Sequence, residues 1–211
     1  GRSALDAVEL MNVGVNYLRE HVTSKARIHY TTDSGGFSPN IVPPRAGSWY
    51  FVRAPHISEV KEILERVRKV AEGACLMTET SMEMKIDYGC CELLENHAYA
   101  DLAYENLKEA RLPSYTEEEL AFASKLEDTL SGETVENARK LYDTEGLPLA
   151  MKVGIRDLYQ RNPLTASSDS GDVSYIMPMC LISTVCWPAA VSPHTWQASA
   201  SAGSSIGEKG A

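Results

Sequence analysis

Residues 31–44 read TTDSGGFSPNIVPP, and the two runs joined by this stretch decide the fold. Upstream, residues 27–32 alternate, with Ile28, Tyr30 and Thr32 on one face and Arg27, His29 and Thr31 on the other. Downstream, residues 48–53 (SWYFVR) are aromatic and β-branched. Both patterns predict strands. Between them Gly35-Gly36 can supply positive φ for a tight connection, while Pro39 and Pro43 stiffen the segment around Asn40. A hairpin whose asparagine caps its own turn is the plainest reading of the stretch.

Helices flank the hairpin. Leu5, Val8, Met11, Val15 and Leu18 recur at helical spacing behind Ser3, a good N-cap with Asp6 three residues on. Ser58 is the expected cap of a second helix with Val60, Ile63, Leu64, Val67 and Val70 inward, and Gly73 is its expected stop. Residues 78–87 alternate again, Thr80, Met82, Met84 and Ile86 against Glu79, Ser81, Glu83 and Lys85, and predict a third strand. The order α-β-β-α-β is one strand short of a split βαβ unit. The expectation is a sequence that begins inside a longer protein.

Past residue 90 the texture changes. Residues 96–111 are amphipathic through Tyr99, Leu102, Ala103, Leu107 and Ala110. Thr116 and Glu119 form a capping box ahead of Leu120, Ala123, Leu126 and Leu130, with Gly132 as the expected end. Residues 143–163 lack periodicity and read as a long loop. Residues 174–191 are nearly continuous apolar sequence, as in strands covered on both faces.

Composition narrows the function classes. The 211 residues are enough for one large or two small domains with a proper core. With 44% hydrophobic and 23% charged residues the chain reads as globular. Its net charge of −9 repels a nucleic-acid backbone on average. The longest apolar run is broken by Pro178 and Pro188 and is too short for a bilayer span. The N-terminal helix pattern shows no secretory leader, and five cysteines without CxxC spacing suggest a reduced, cytoplasmic setting.

Several separated motifs then carry a resemblance. GRSALDAVELMNVGVNYLREH, GGFSPNIVPP, AEGACLMTET, SSDSGDVSY and PHTWQ, in that order, resemble the metal-dependent amidohydrolase and carboxypeptidase family of the aminoacylase type, in its aminobenzoyl-glutamate utilisation branch. The resemblance covers nearly the whole chain and is weakest over 131–165. It implies an α/β protein with an α+β lid. Residues 1–88 match a ferredoxin-like dimerisation domain lacking its first strand, and 89–211 match the C-terminal portion of an α/β metallopeptidase catalytic domain. The family's upstream half, with most metal ligands and the catalytic glutamate, has no counterpart here, so no catalytic residue is assigned and the chain is expected to be inactive alone.

The resemblance also implies site residues. The family's Gly-Gly…Asn-(Ile/Val)-(Ile/Val)-Pro motif places its asparagine at the substrate, often in the partner subunit's site, which assigns Asn40. Thirteen residues on, an arginine binds the substrate carboxylate; Arg53 stands at that spacing, and a guanidinium suits bidentate capture. The histidine of PHTWQ, His194, is a family metal ligand, suited to zinc or manganese. One histidine cannot hold a metal, because catalytic zinc takes about three protein ligands. His21, His29, His56 and His97 match no ligand spacing. Asp172 is expected to organise its loop by hydrogen bonds, since Gly171 and Val173 replace the first and third residues of the family's commoner Glu-Asp-Phe. The tail reads Gly207-Glu208-Lys209-Gly210 where relatives carry histidine, which questions the terminal helix contacts.

The implied function is metal-assisted amide hydrolysis of N-acyl or N-aroyl amino acids, a small-molecule reaction carried out in a homodimer, with a second subunit conceivable and neither nucleic acid nor membrane as partner. Two other classes stay open at this point. One is a non-catalytic dimerisation module from a truncated gene. The other is an unrelated ferredoxin-like binding domain, for instance for RNA, which needs basic and aromatic residues on a sheet face.

Overall fold

The computed structural model describes residues 1–110, 112–142, 144, 146–149 and 167–211, so most of the expected loop at 143–163 lies outside the described residues. The chain divides into two compact units. Residues 1–94 with 167–177 make the first, and the described residues of 95–162 with 178–211 make the second.

In the first unit, helix α1 (Ala4–Leu18) starts where Ser3 accepts the Asp6 N–H at 3.2 Å. Strands β1 (Arg27–Ser34) and β2 (Gly47–Arg53) form an antiparallel pair that runs from Arg27 opposite Arg53 to Ser34 opposite Gly47. The register shifts between Thr32 and Ser34, so Asp33 is an extra residue and its carboxylate crowds Gly47. Helix α2 (Ile57–Thr78) packs on α1. Val15, Leu18, Ala26, Ile28, Ile63 and Val67 form the buried core, with Met11, Tyr50, Val52 and Val70 against it. Gly14 admits Val70: a Cβ there would lie 2.6 Å from its Cγ1.

Four expectations are corrected. Helix α2 begins at Ile57 behind His56, so Ser58 lies in its first turn and does not cap it. Helix α2 does not stop at Gly73 but runs five residues further, because Ala74 is buried and the Thr78 hydroxyl bonds the Ala74 carbonyl at 2.9 Å; Glu79, with φ of 52°, is the left-handed cap. Residues 79–87 do not form a strand, since no strand among the described residues takes their backbone groups, and Met82, Met84 and Ile86 stay exposed. The described sheet therefore has two strands, and a mixed helix and sheet fold is what the structure supports, short of a ferredoxin-like arrangement.

In the second unit, helix α3 (His97–Glu109) begins at Asn96, whose side chain accepts the Tyr99 N–H. Its stripe is not buried, for Tyr99 and Leu102 are exposed. Helix α4 (Glu117–Glu127) has the expected capping box of Thr116 and Glu119. It ends at Glu127 rather than Gly132, because turns from Leu126 and Glu127 to Thr129 and Leu130 close it. Gly132 instead opens α5 (Gly132–Tyr142).

Short helix α6 (Ser170–Ser174) belongs to the first unit, while α7 (Trp196–Ala202) and α8 (Ser205–Gly210) belong to the second. Residues 175–191 contain no strand; Ile176, Leu181 and Ile182 are exposed, so the buried-strand reading of this run fails here. The terminal contacts hold despite Glu208, which faces solvent. Ile206 is fully buried and Lys209 reaches Glu119 at 2.6 Å and the Ser114 carbonyl at 2.9 Å.

Candidate functional site

The loop between the strands is built stiff. Gly36 has φ of 103°, in the region glycine tolerates best, and a Cβ on it would meet Pro43 Cγ at 2.8 Å. Pro39 sits inside a turn closed by the Ile41 N–H on the Ser38 carbonyl at 3.1 Å. Within that turn the Ser38 hydroxyl donates to Asn40 Oδ1 at 2.5 Å. The Ala4 N–H binds the Pro43 carbonyl at 3.0 Å, which fixes the loop to the start of α1. Asn40 is exposed at the loop's tip, as are Phe37 and Ile41.

Arg53 stands at the other end of the hairpin, exposed and directly opposite Arg27. Six steps of strand, about 20 Å, separate it from the Gly47 end that the loop joins. Within one chain, Asn40 and Arg53 therefore occupy opposite ends of the hairpin.

The two faces of the sheet differ. Tyr30 and Tyr50 pair at 5.1 Å beneath α1, where Asn16 donates to the Tyr30 hydroxyl and Tyr50 donates to Asn12. Strand alternation puts Arg27, His29, Thr31, Trp49, Phe51 and Arg53 on the opposite, open face. Trp49 and Phe51 lie 5.2 Å apart, and Tyr88 meets Phe51 edge-on at 6.4 Å. The aromatic residues were legible only as strand formers; their grouping with Tyr88 needed the tertiary structure.

A second cluster in this unit escaped the sequence reading. Glu92 accepts the Ile57 N–H at 2.9 Å at the start of α2 and pairs with His56 Nδ1 at 3.0 Å. Burial works to raise its pKa, but hydrogen bonds from the backbone N–H groups of Ile57 and Glu92, from His56 and from Tyr175 prevail and hold it at about 2. Asp172 accepts the Cys91 N–H at 2.9 Å, so it does organise its loop by hydrogen bonding. Its hydrogen bond to the Cys91 thiol, with burial, pushes that thiol's pKa up, which disfavours a reactive thiolate. Gly171 is buried against the Cys91 carbonyl, and any side chain there would strike it. That contact explains why this chain has glycine at the position.

His194 lies in the second unit, exposed in the loop before α7, with φ of 64°. Among the described residues, no group of three or more His, Cys, Asp or Glu side chains is placed to hold a metal ion. The described donors do not by themselves make a catalytic metal site. No helix among the described residues is long and apolar enough to cross a membrane.

No protein-family model matches the chain. Curated relatives do. The chain is 38% identical, along its full length, to 46% of a p-aminobenzoyl-glutamate hydrolase component of Escherichia coli (strain K12). The Xaa-Arg dipeptidase of Mus musculus is 26% identical over 84% of the chain and 32% of its own length. The Homo sapiens Xaa-Arg dipeptidase is 28% identical over 40% of the chain and 20% of its own length. The chain thus spans less than half the length of these relatives.

Proposed function

We propose a function from the premise that this chain belongs to the hydrolase family of p-aminobenzoyl-glutamate hydrolase and the Xaa-Arg dipeptidases. The chain is the substrate-holding part of an amide-bond hydrolase acting on N-acyl or N-aroyl amino acids. Arg53 takes the substrate's carboxylate, and its place on an open sheet face beside a second guanidinium is the observation that carries this reading. Residues 1–88 act as a dimerisation lid, 89–211 as the C-terminal part of the catalytic domain.

The hairpin geometry supports a two-fold dimer. Asn40 and Arg53 are too far apart along the hairpin to serve one small molecule in one chain, so Asn40 completes the site of a partner copy. Among the described residues the outer edges of β1 and β2 have no strand beside them, which leaves backbone groups for such pairing. His194 is this chain's donor to a zinc or manganese ion whose other ligands lie outside the described residues. The chain binds substrate in the cytoplasm but does not cleave it by itself.

The test is binding of 4-aminobenzoyl-L-glutamate and of its α,γ-diamide, which is neutral, to the 211-residue chain. A charge-assisted hydrogen bond contributes about 1.5–3 kcal/mol, so Arg53→Ala should weaken the acid roughly 10- to 150-fold and the amide far less. Equal losses for both ligands would make Arg53 a structural residue. Chelator-sensitive cleavage of the ligand during the measurement would contradict the absence of turnover.

A further inference from the structure

We infer that Trp49, Phe51 and Tyr88 form a shelf for the aromatic acyl group of an N-aroyl amino acid whose carboxylate is held by Arg53. The inference rests on the reading of Arg53 above and goes beyond it by assigning the acyl-binding surface and its preference.

The three rings are grouped but not covered. Trp49 is 50% exposed, Phe51 42% and Tyr88 68%, although they touch one another in tilted and edge-on arrangements. A clustered apolar surface left open to water marks a binding site more often than a scattered one does. Packed rings offer a further ring both faces and edges, for offset or T-shaped contact.

Charge defines the rest of the ligand. Arg27 and Arg53 are direct cross-strand neighbours, and like charges so placed repel. Arg27 is held at that end by the carbonyls of Ser24 and Ala26, at 2.8 and 2.7 Å, so its charge cannot swing away. His29 stands opposite Phe51, while Asp33 lies at the far end of the face beside Gly47. Two guanidinium groups side by side at this end of the face match the charge of a carboxylate.

Spacing links the two. Phe51 and Arg53 are one strand repeat apart on the same face, about 6.6 Å. That is the scale separating the α-carboxylate from the aryl ring in an aroyl amino acid, where only the Cα, the amide nitrogen and the carbonyl carbon intervene. An aliphatic acyl group reaches the same place but has no π-face to present.

Binding of 4-aminobenzoyl-L-glutamate and N-acetyl-L-glutamate to the full chain, followed by ligand-observed NMR titration, tests the inference. Both probes carry the same carboxylates and differ only in the acyl group. Wild type should prefer the aroyl probe. Phe51→Leu and Trp49→Leu should weaken it roughly 3- to 10-fold and leave the acetyl probe unchanged, while Phe51→Tyr retains the preference. Because these side chains are exposed, the leucine variants should keep the wild-type circular dichroism. Equal loss for both probes, no loss for either, or no aroyl preference in wild type overturns the shelf. Loss of both probes in Arg53→Ala supports the carboxylate reading; if Arg53→Ala changes neither while Phe51→Leu still weakens the aroyl probe, that reading fails and the shelf stands. Binding of an oligothymidine that Phe51→Leu abolishes, with no aroyl binding, overturns the shelf in favour of a nucleic-acid face.

Discussion

At the scale of single residues, the close approaches say most about why this sequence is as it is. Gly36 and Gly171 look alike in sequence, yet one answers to backbone conformation and the other to space. Gly36 needs its positive φ, whereas Gly171 needs room for the Cys91 carbonyl. Replacing Gly171 by alanine forces backbone against side chain, an overpacking that costs about 1–3 kcal/mol. Urea unfolding should show a lower midpoint with an unchanged slope, and an unaltered midpoint would mean that the 90–92 segment is not seated on α6. Family motifs pointed to Asn40, Arg53 and His194, because motif and residue type are local information. Nothing local could point to Glu92 or Tyr88, whose partners lie more than thirty positions away.

At the scale of elements, periodicity predicted α1, β1, β2 and α4 because each carries its own local signal, a capped helical stripe or an alternating strand face, wherever its partner lies. The alternation at 78–87 and the continuous apolar run at 174–191 were both read as strands, and neither is one here. A period of two says which face a segment could bury, not whether a neighbouring strand is present to take its backbone groups. Gly73 failed as a stop because burial of Ala74 outweighed a glycine cost of about 1 kcal/mol.

The element most open to a chemical test is the start of α2. Glu92 is held at about 2, below its ordinary 4.5, so its contribution is fully present above about pH 5 and is lost as pH falls towards 2. Glu119, tied to Lys209, Ser205 and the Thr116 N–H, is lowered in the same window, so only a difference between variants isolates Glu92. Glu92→Gln should be less stable than wild type at pH 7, with the gap closing between pH 5 and 2. A gap constant with pH would place the stabilisation elsewhere.

At the scale of the whole molecule, the hairpin's length sets how far apart the two candidate site residues stand. It holds Arg53 at one end and the Asn40 loop at the other, with aromatic rings between, so one chain cannot close both residues on one small ligand. A two-fold pair of chains can, each site taking Arg53 from one copy and Asn40 from the other. The direct measurement is ligand stoichiometry after co-expressing Asn40→Ala and Arg53→Ala chains in equal amounts and titrating with 4-aminobenzoyl-L-glutamate. Each variant alone should bind weakly. In the mixture, about half the dimers are mixed and each of these regains one intact site, so about a quarter of all sites should bind at wild-type affinity. A mixture that binds no better than the two variants measured separately would contradict the shared site.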